Sequence, residues 1–370
     1  MILTQTRALF LDAYRDLHSR KLFWVVLILN AIVIAGFGTL AVKENHFMVL
    51  GWELPFDIPL PLFVYKWIFS QVVIGQWLTW AATVLALIST ASIFPDFLAG
   101  GAVELYLSKP IGRLRLFFTK YATGLMFVAL QVTVFTAGSF LVLGFRGGVW
   151  EPWLFLAIPI VVLFFSYLFS IQVLLGVCTR STLAAFFMTI CAWFVIFGIN
   201  QADHFLMQVD VIYQEKAQAA QKQMATFDGQ IAAAQIRMDR ASTRPAEANS
   251  VDIKTQLRRL TAQRSAAQHR AEQQQPPAWV KTAQPIVFGL NTLVPKTQDT
   301  IGLLNRRLFS DVVLTSVLNT TPERGPMHGW RRQIQNLLHA RDTAWILCSS
   351  IAFECVMLAL AAWRFCRRDY

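Results

Sequence analysis

Charge is scarce in this chain of 370 residues: Asp, Glu, Lys and Arg together make up 15% of it, against 55% hydrophobic residues. With a mean hydropathy of +0.46, it is too oily for a soluble protein of this size and belongs in a bilayer. Other absences exclude chemistry. No GxxxxGK[ST] phosphate loop occurs, so hydrolysis of ATP by this chain in the P-loop manner is not expected. The six histidines, His18, His46, His204, His269, His328 and His339, are scattered without HExxH or close ligand spacing, which argues against a catalytic metal. There is no GxSxG elbow and no plausible nucleophile and base pair, so a membrane-embedded enzyme would need distant polar residues to converge on a wet pocket. The five cysteines, Cys178, Cys191, Cys348, Cys355 and Cys366, fall in or beside apolar runs, and neither a disulfide frame nor a CxxC metal site is indicated. The net charge of +11 is spread over membrane borders and one long polar stretch with no reader motif around it, so nucleic acid is not an expected partner.

What is present is a series of apolar runs. Residues 1–21 read as a cytoplasmic interfacial helix, with Leu3, Phe10, Tyr14 and Leu17 on one face and Arg7, Asp12, Arg15, Asp16 and Arg20 on the rest. The run 22–42 is about the ~20 residues a membrane helix needs. Its length and long charged lead-in argue against a cleaved signal peptide. An outer loop, 43–66, carries Pro55, Pro59 and Pro61 among aromatic residues. Further spans are expected at 67–94, 121–143, 153–177, 183–200 and 344–363, with a tight turn at 145–148 and a possible kink at Pro159. Placing Arg7, Arg20, Lys21, the Lys109 to Lys120 cluster, Arg180 and the tail Arg367-Arg368 on one side requires an even number of spans, and six satisfies it. The expected fold is therefore an all-α membrane protein with six transmembrane helices and both termini cytoplasmic.

That leaves 201–340 as an extracytoplasmic region. Ala220, Met224, Phe227, Ile231, Ala234 and Met238 recur at steps of three and four, and Ile253, Leu257, Leu260 and Ala267 approximate the same register beyond a break at 242–250. A helical hairpin over about 209–275 is expected, with an Ala-rich coiled-coil seam. It is either a plain solvated coiled coil or an arm that handles substrate or docks a partner. Residues 279–295 read as an interfacial segment, interrupted by Lys281, Gln284 and Pro285.

Two places stand out. Between the second and third spans, 94–120 opens with a helix-stopping Pro95 and continues as a short amphipathic segment. It then breaks at Lys109-Pro110, and Lys109, Arg113, Arg115 and Lys120 mark it as inward-facing. In the sixth run, Glu354 sits near the middle, where an ionised carboxylate is costly unless paired or hydrated. It is either part of a translocation path or conformational switch, or a group held protonated or hydrogen-bonded to Ser, Thr or Gln of a neighbouring helix. Arg180 reads as a topology anchor.

The loop FPDFLAGGAVELYLSKPIGRLRLFFTK resembles the signature between the second and third spans of type-two ATP-binding-cassette (ABC) exporter permeases, including those similar to the membrane subunit serving nitrous oxide reductase maturation. Asp96, Gly101, Glu104, Leu107, Ser108, Lys109, Pro110, Arg113 and Lys120 match that pattern. Arg367-Arg368-Asp369-Tyr370 and Leu293-Val294-Pro295 are similar to the family's tail and post-fifth-span segment. The resemblance covers 1 to about 200 and about 285 to 370. The family often has a Glu-Pro-Gly turn where Ala99-Gly100-Gly101 stands here, and the hairpin looks like an insertion.

The resemblance implies a permease subunit without its own ATPase site, in a plasma or bacterial inner membrane. It would work as two permease chains, identical or not, with two separate ATPase subunits that carry ATP and Mg. A coupling helix over roughly 96–107 would fit a groove on the ATPase. Phe97, Val103 and Tyr106 would supply apolar docking area, Asp96, Glu104, Lys109 and Arg113 would fix register, and Gly101 and Pro110 belong to the same ATPase-coupling set. The rival is a non-transporting scaffold or mechanotransmitter that binds an extracytoplasmic partner through the hairpin.

Overall fold

The computed structural model describes residues 21–43, 46–49, 52–53, 61–99, 112–243, 250–273, 277–308 and 341–367. The expected interfacial helix before Lys21 and the tail beyond Arg367 lie outside these. The chain divides into two compact units, Met1–Asn200 with Thr292–Tyr370, and Gln201–Asn291.

In the first unit, α1 (Lys21–Phe37) is a 17-residue apolar helix. It is shorter than the run 22–42 suggested. Gly38 and Thr39 end it, the Thr39 hydroxyl donating to the Gly36 carbonyl at 2.7 Å. The next residues leave the helix as β1 (Leu40–Lys43), which pairs antiparallel with β2 (His46–Val49), itself paired with β3 (Trp52–Glu53). The expected outer loop thus contains a small three-stranded sheet, and the described residues are otherwise helical apart from turns.

The second apolar run starts earlier than expected, as α2 (Pro61–Ile68), and continues through a π-helical stretch, Phe69–Ala82, into α3 (Thr83–Thr90). Wide turns let Thr79 and Thr83 hydroxyls reach carbonyls five residues back, Ile74 at 2.9 Å and Leu78 at 3.1 Å. A turn at Ala91-Ser92 separates it from α4 (Ile93–Ala99). Pro95 therefore does not stop the preceding helix. It sits in the first turn of the next one, where its missing N–H leaves no bond unmade.

α5 (Arg113–Gly147) is 35 residues long and overruns the expected third span at both ends. Gly148 closes it at φ 67°, a left-handed position that suits glycine, and its N–H donates to the Leu143 carbonyl. A short 3-10 turn, Pro152–Leu156, leads into α6 (Ala157–Thr179). Pro159 lies in the first turn of α6, so it costs no backbone hydrogen bond.

α6 is the centre of this unit. Phe164, Phe165, Tyr167, Leu168 and Phe169 are buried in succession on all its sides, because α4, α5, α10 (Thr297–Leu308) and α11 (Thr343–Arg367) pack around it. Two glycines permit close approach: a Cβ on Gly124 would fall 2.4 Å from the Phe169 ring, and one on Gly147 would fall 2.5 Å from that of Tyr65. Arg180 (φ 55°) ends α6. Ser181 then starts α7 (Thr182–Thr243) as its N-cap, its hydroxyl accepting from the Ala184 N–H at 3.4 Å.

The second unit comprises the later part of α7, α8 (Ser250–Gln273) and most of α9 (Ala278–Leu293). Between 216 and 240 of α7 the less exposed positions are Ala220, Met224, Phe227, Ile231, Ala234 and Met238, and on α8 they are Ile253, Leu257, Leu260, Arg264, Ala267 and Ala271. Asp228 and Arg264 join the two helices by an ion pair of 2.5 Å between exposed side chains.

Candidate functional site

Glu354 lies on α11, about three turns into the helix, against α5 and α6. Its two carboxylate oxygens take different donors: the Tyr121 hydroxyl reaches Oε1 at 2.7 Å and the Ser166 hydroxyl reaches Oε2 at 2.8 Å. Three helices therefore converge on one carboxylate. Each donor also has a second acceptor within reach, Tyr121 the Ser166 carbonyl at 3.2 Å and Ser166 the Leu163 carbonyl at 2.8 Å. A hydroxyl has a single proton to give. Each hydroxyl therefore serves either the carboxylate or a backbone carbonyl, so the node can rearrange by rotation of two O–H bonds.

Aromatic packing holds the donors in place. Tyr121 stacks on Phe169 at 5.2 Å and 13°, and Phe169 stacks in turn on Phe165 at 5.5 Å. Gly124, one turn beyond Tyr121 on α5, leaves the room for Phe169 to lie there. Gln172, the polar residue read from the sequence in this span, is buried and bonds α3: its Nε2 donates to the Leu87 carbonyl at 2.9 Å, and its Oε1 accepts from Thr90 at 3.2 Å.

Of the nine loop residues expected to couple to an ATPase, three are described. Asp96 on α4 is exposed. Phe97 is 5% exposed and stacks on Phe365 of α11 at 6.2 Å, with the Lys120 ammonium 5.5 Å from its ring. It belongs to the core and offers no docking area, because the amphipathic face of α4 turns inward onto α5, α6 and the end of α11. Arg113 opens α5 and donates from Nη1 to the Cys366 carbonyl at 3.1 Å, satisfying one of the last carbonyls of α11 that helical bonding leaves open. Gly101, Val103, Glu104, Tyr106, Lys109 and Pro110 lie outside the described residues. The structure brings Phe97 and Arg113 together on the last turns of α11, the helix that also carries Glu354.

Sequence reading missed Tyr121, Ser166 and Lys296. Ser166 is visible as a hydroxyl in an apolar run, yet nothing in sequence pairs it with a residue 188 positions away. Lys296, after Pro295, is fully buried, its Nζ donating to the Thr292 and Val294 carbonyls at 3.1 Å each and lying 4.5 Å from the Trp345 ring. Its signal was a lone cation between apolar segments.

Among the described residues no group of three or more His, Cys, Asp or Glu could hold a metal ion. No protein-family model, curated protein or solved structure matches the chain. The fold alone defines the class: among the described residues five helices, Val64–Leu98, Arg113–Gly147, Pro152–Thr179, Thr182–Asp210 and Thr343–Arg367, are long and apolar enough to cross a bilayer, and Lys21–Phe37 is a shorter apolar helix. This is a helical, multi-pass membrane protein.

Proposed function

We propose that the chain is the permease subunit of an ATP-driven exporter of the type-two ABC kind, working as a pair with two separate ATPase subunits. The shorter helix Lys21–Phe37 completes six spans, both termini face the cytoplasm, residues 94–120 form the inner coupling loop, and the α7–α8 hairpin is extracytoplasmic. The support is the loop's likeness to that family together with one structural relationship. Both flanks of the loop, Phe97 before it and Arg113 after it, attach to the end of α11. Force applied to the loop by an ATPase closing on ATP would thereby reach α11 and Glu354, whose hydrogen bonds tie α11 to α5 and α6. Docking would fall to Asp96 and the loop residues beyond it, and Arg113 would transmit rather than dock.

The test is to coexpress the chain with a candidate ATPase and compare Glu104→Ala and Arg113→Ala for copurification and for stimulation of ATP hydrolysis. Loss of copurification is expected for Glu104→Ala. For Arg113→Ala, the ATPase is expected to stay bound but with weaker stimulation. Unchanged values in both variants overturn the proposal.

The separate compactness of Gln201–Asn291 favours a second reading, a non-transporting scaffold or mechanotransmitter that engages an extracytoplasmic partner. Glu354→Gln distinguishes them: flux lost with the complex intact speaks for transport.

A further inference from the structure

At the end of the first unit opposite the Arg113–Cys366 contact, a cavity of about 490 Å³ opens where the starts of α6 and α11 meet the end of α10. This volume is within the ~300–1,000 Å³ typical of ligand pockets. Its wall is divided by chemistry. Ile160 and Leu163 of α6, Leu303 of α10 and Leu347 of α11 give it aliphatic lining, while Arg306 and Arg307 of α10 and Thr343 of α11 line it as well. Arg306 is tied to the start of α11, where Nη1 donates to the Arg341 carbonyl at 2.9 Å, so two cationic residues and an aliphatic wall border one cavity. Among the described residues the cavity lining contains no carboxylate. Burial pulls the Arg306 pKa below its ordinary value and Asp299 opposes that shift, so an anion beside Arg306 would add to a charge balance that Asp299 corrects only in part.

We propose that this cavity binds an anionic glycerophospholipid, with its phosphate held by Arg306 and Arg307 and one acyl chain laid against Ile160, Leu163, Leu303 and Leu347. The occupant follows from the pairing of features. Guanidinium forks match phosphate oxygens, and a cavity bordered by two arginines and by aliphatic side chains suits a molecule with a charged head and an oily tail. A free phosphate would use the arginines and leave the aliphatic wall uncovered. A zwitterionic lipid would cover the wall and bring a cation to two arginines. The inference does not depend on the exporter reading, because it needs neither an ATPase nor transport.

The test uses the full chain in detergent, stripped of lipid, with native mass spectrometry to count bound lipid and thermal denaturation as a second measure. The probes are phosphatidylglycerol, phosphatidylcholine and inorganic phosphate. Retention of phosphatidylglycerol at least tenfold better than phosphatidylcholine is expected, with a rise in melting temperature that phosphate alone does not give. Arg306→Gln and Arg307→Gln should each abolish the preference, and Ile160→Trp, which fills part of the cavity and keeps both charges, should reduce retention of either lipid. If Arg306→Gln does not fold, Arg307→Gln and Ile160→Trp decide the matter, since both alter positions outside the buried core. Equal retention of the two lipids, a melting shift reproduced by inorganic phosphate, or unchanged binding in the variants would overturn the proposal.

Discussion

The hydroxyl of Tyr121 on α5 and the carboxylate of Glu354 on α11, 233 positions apart in the chain, meet at 2.7 Å inside the helical unit. Hydrogen bonds between helices in lipid contribute modestly, about 0.6 kcal/mol on average and up to ~1.7, because the separated helices also find partners. A double-mutant cycle of Tyr121→Phe and Glu354→Gln should give a coupling near the top of that range, since the acceptor is a carboxylate with a second donor in Ser166. Denaturation in detergent measures it. A coupling indistinguishable from zero would mean that the pair is incidental to the fold.

Gly124 should tolerate no side chain. An added Cβ would come within 2.4 Å of Phe169 Cζ and 2.5 Å of Cε1, and the ring cannot swing aside because Tyr121 and Phe165 stack on it. Gly124→Ala should cost about 1–3 kcal/mol, the range for overpacking a filled core. Phe169→Leu in the same chain should restore part of that loss, as read by melting temperature. Simple additivity of the two changes would show that the clash is relieved elsewhere.

These contacts mark where sequence reading stopped. Runs such as 153–177 reveal their helices directly, because a bilayer-length apolar stretch has few other options. The three- and four-step spacing from Ala220 to Met238 likewise coincides with the less exposed face of α7. The end of α1 was misjudged since Leu40, Ala41 and Val42 suit a strand as well as a helix, and only the Gly38-Thr39 break tells them apart. Phe97 read as a surface anchor because an amphipathic segment does not declare which neighbour its apolar face meets. Glu354 was legible as a suspect from its position alone, while its donors were not: pairing across more than 180 residues is decided by packing.

Lys66 of α2 and Glu151, just before α6, form an ion pair with 13% and 18% of their side chains exposed. Partly shielded charges of this kind matter most when one is left behind. Glu151→Gln alone should destabilise the unit by about 2 kcal/mol, less than the ~3–5 expected for breaking a fully buried pair. The exchange Lys66→Glu with Glu151→Lys should recover most of it. By contrast, Arg264→Ala removes an ion pair whose side chains are 44% and 52% exposed, and should change stability by under ~1 kcal/mol. Denaturation curves for the variants in the same detergent test this ordering, and a larger effect at Arg264 would reverse it.

Lys296 should be the most sensitive single cation in the first unit. It has no exposed surface, and it links three elements. Its ammonium donates to the Thr292 and Val294 carbonyls, its backbone N–H donates to the Ser350 hydroxyl of α11 at 2.9 Å, and its carbonyl accepts from the Thr300 N–H and hydroxyl in the first turn of α10. Trp345 presents its ring face to the ammonium at 4.5 Å and to the Arg341 guanidinium at 4.8 Å. Lys296→Met keeps the apolar stem and the backbone bonds but strips two carbonyls, in part-buried hydrogen bonds, of a charged donor, and should cost about 2–3 kcal/mol, the upper part of the ~1–3 for leaving an acceptor unpaired. Trp345→Leu removes only the ring face and should cost about 1–2 kcal/mol, the range for a shielded cation over an aromatic ring. Trp345→Phe, which retains a weaker face, should fall below that. Melting temperatures in the order wild type, Trp345→Phe, Trp345→Leu, Lys296→Met, from highest to lowest, are the expected result. A Lys296→Met protein as stable as wild type would mean that the two carbonyls find other donors and that the buried ammonium does not hold the junction together.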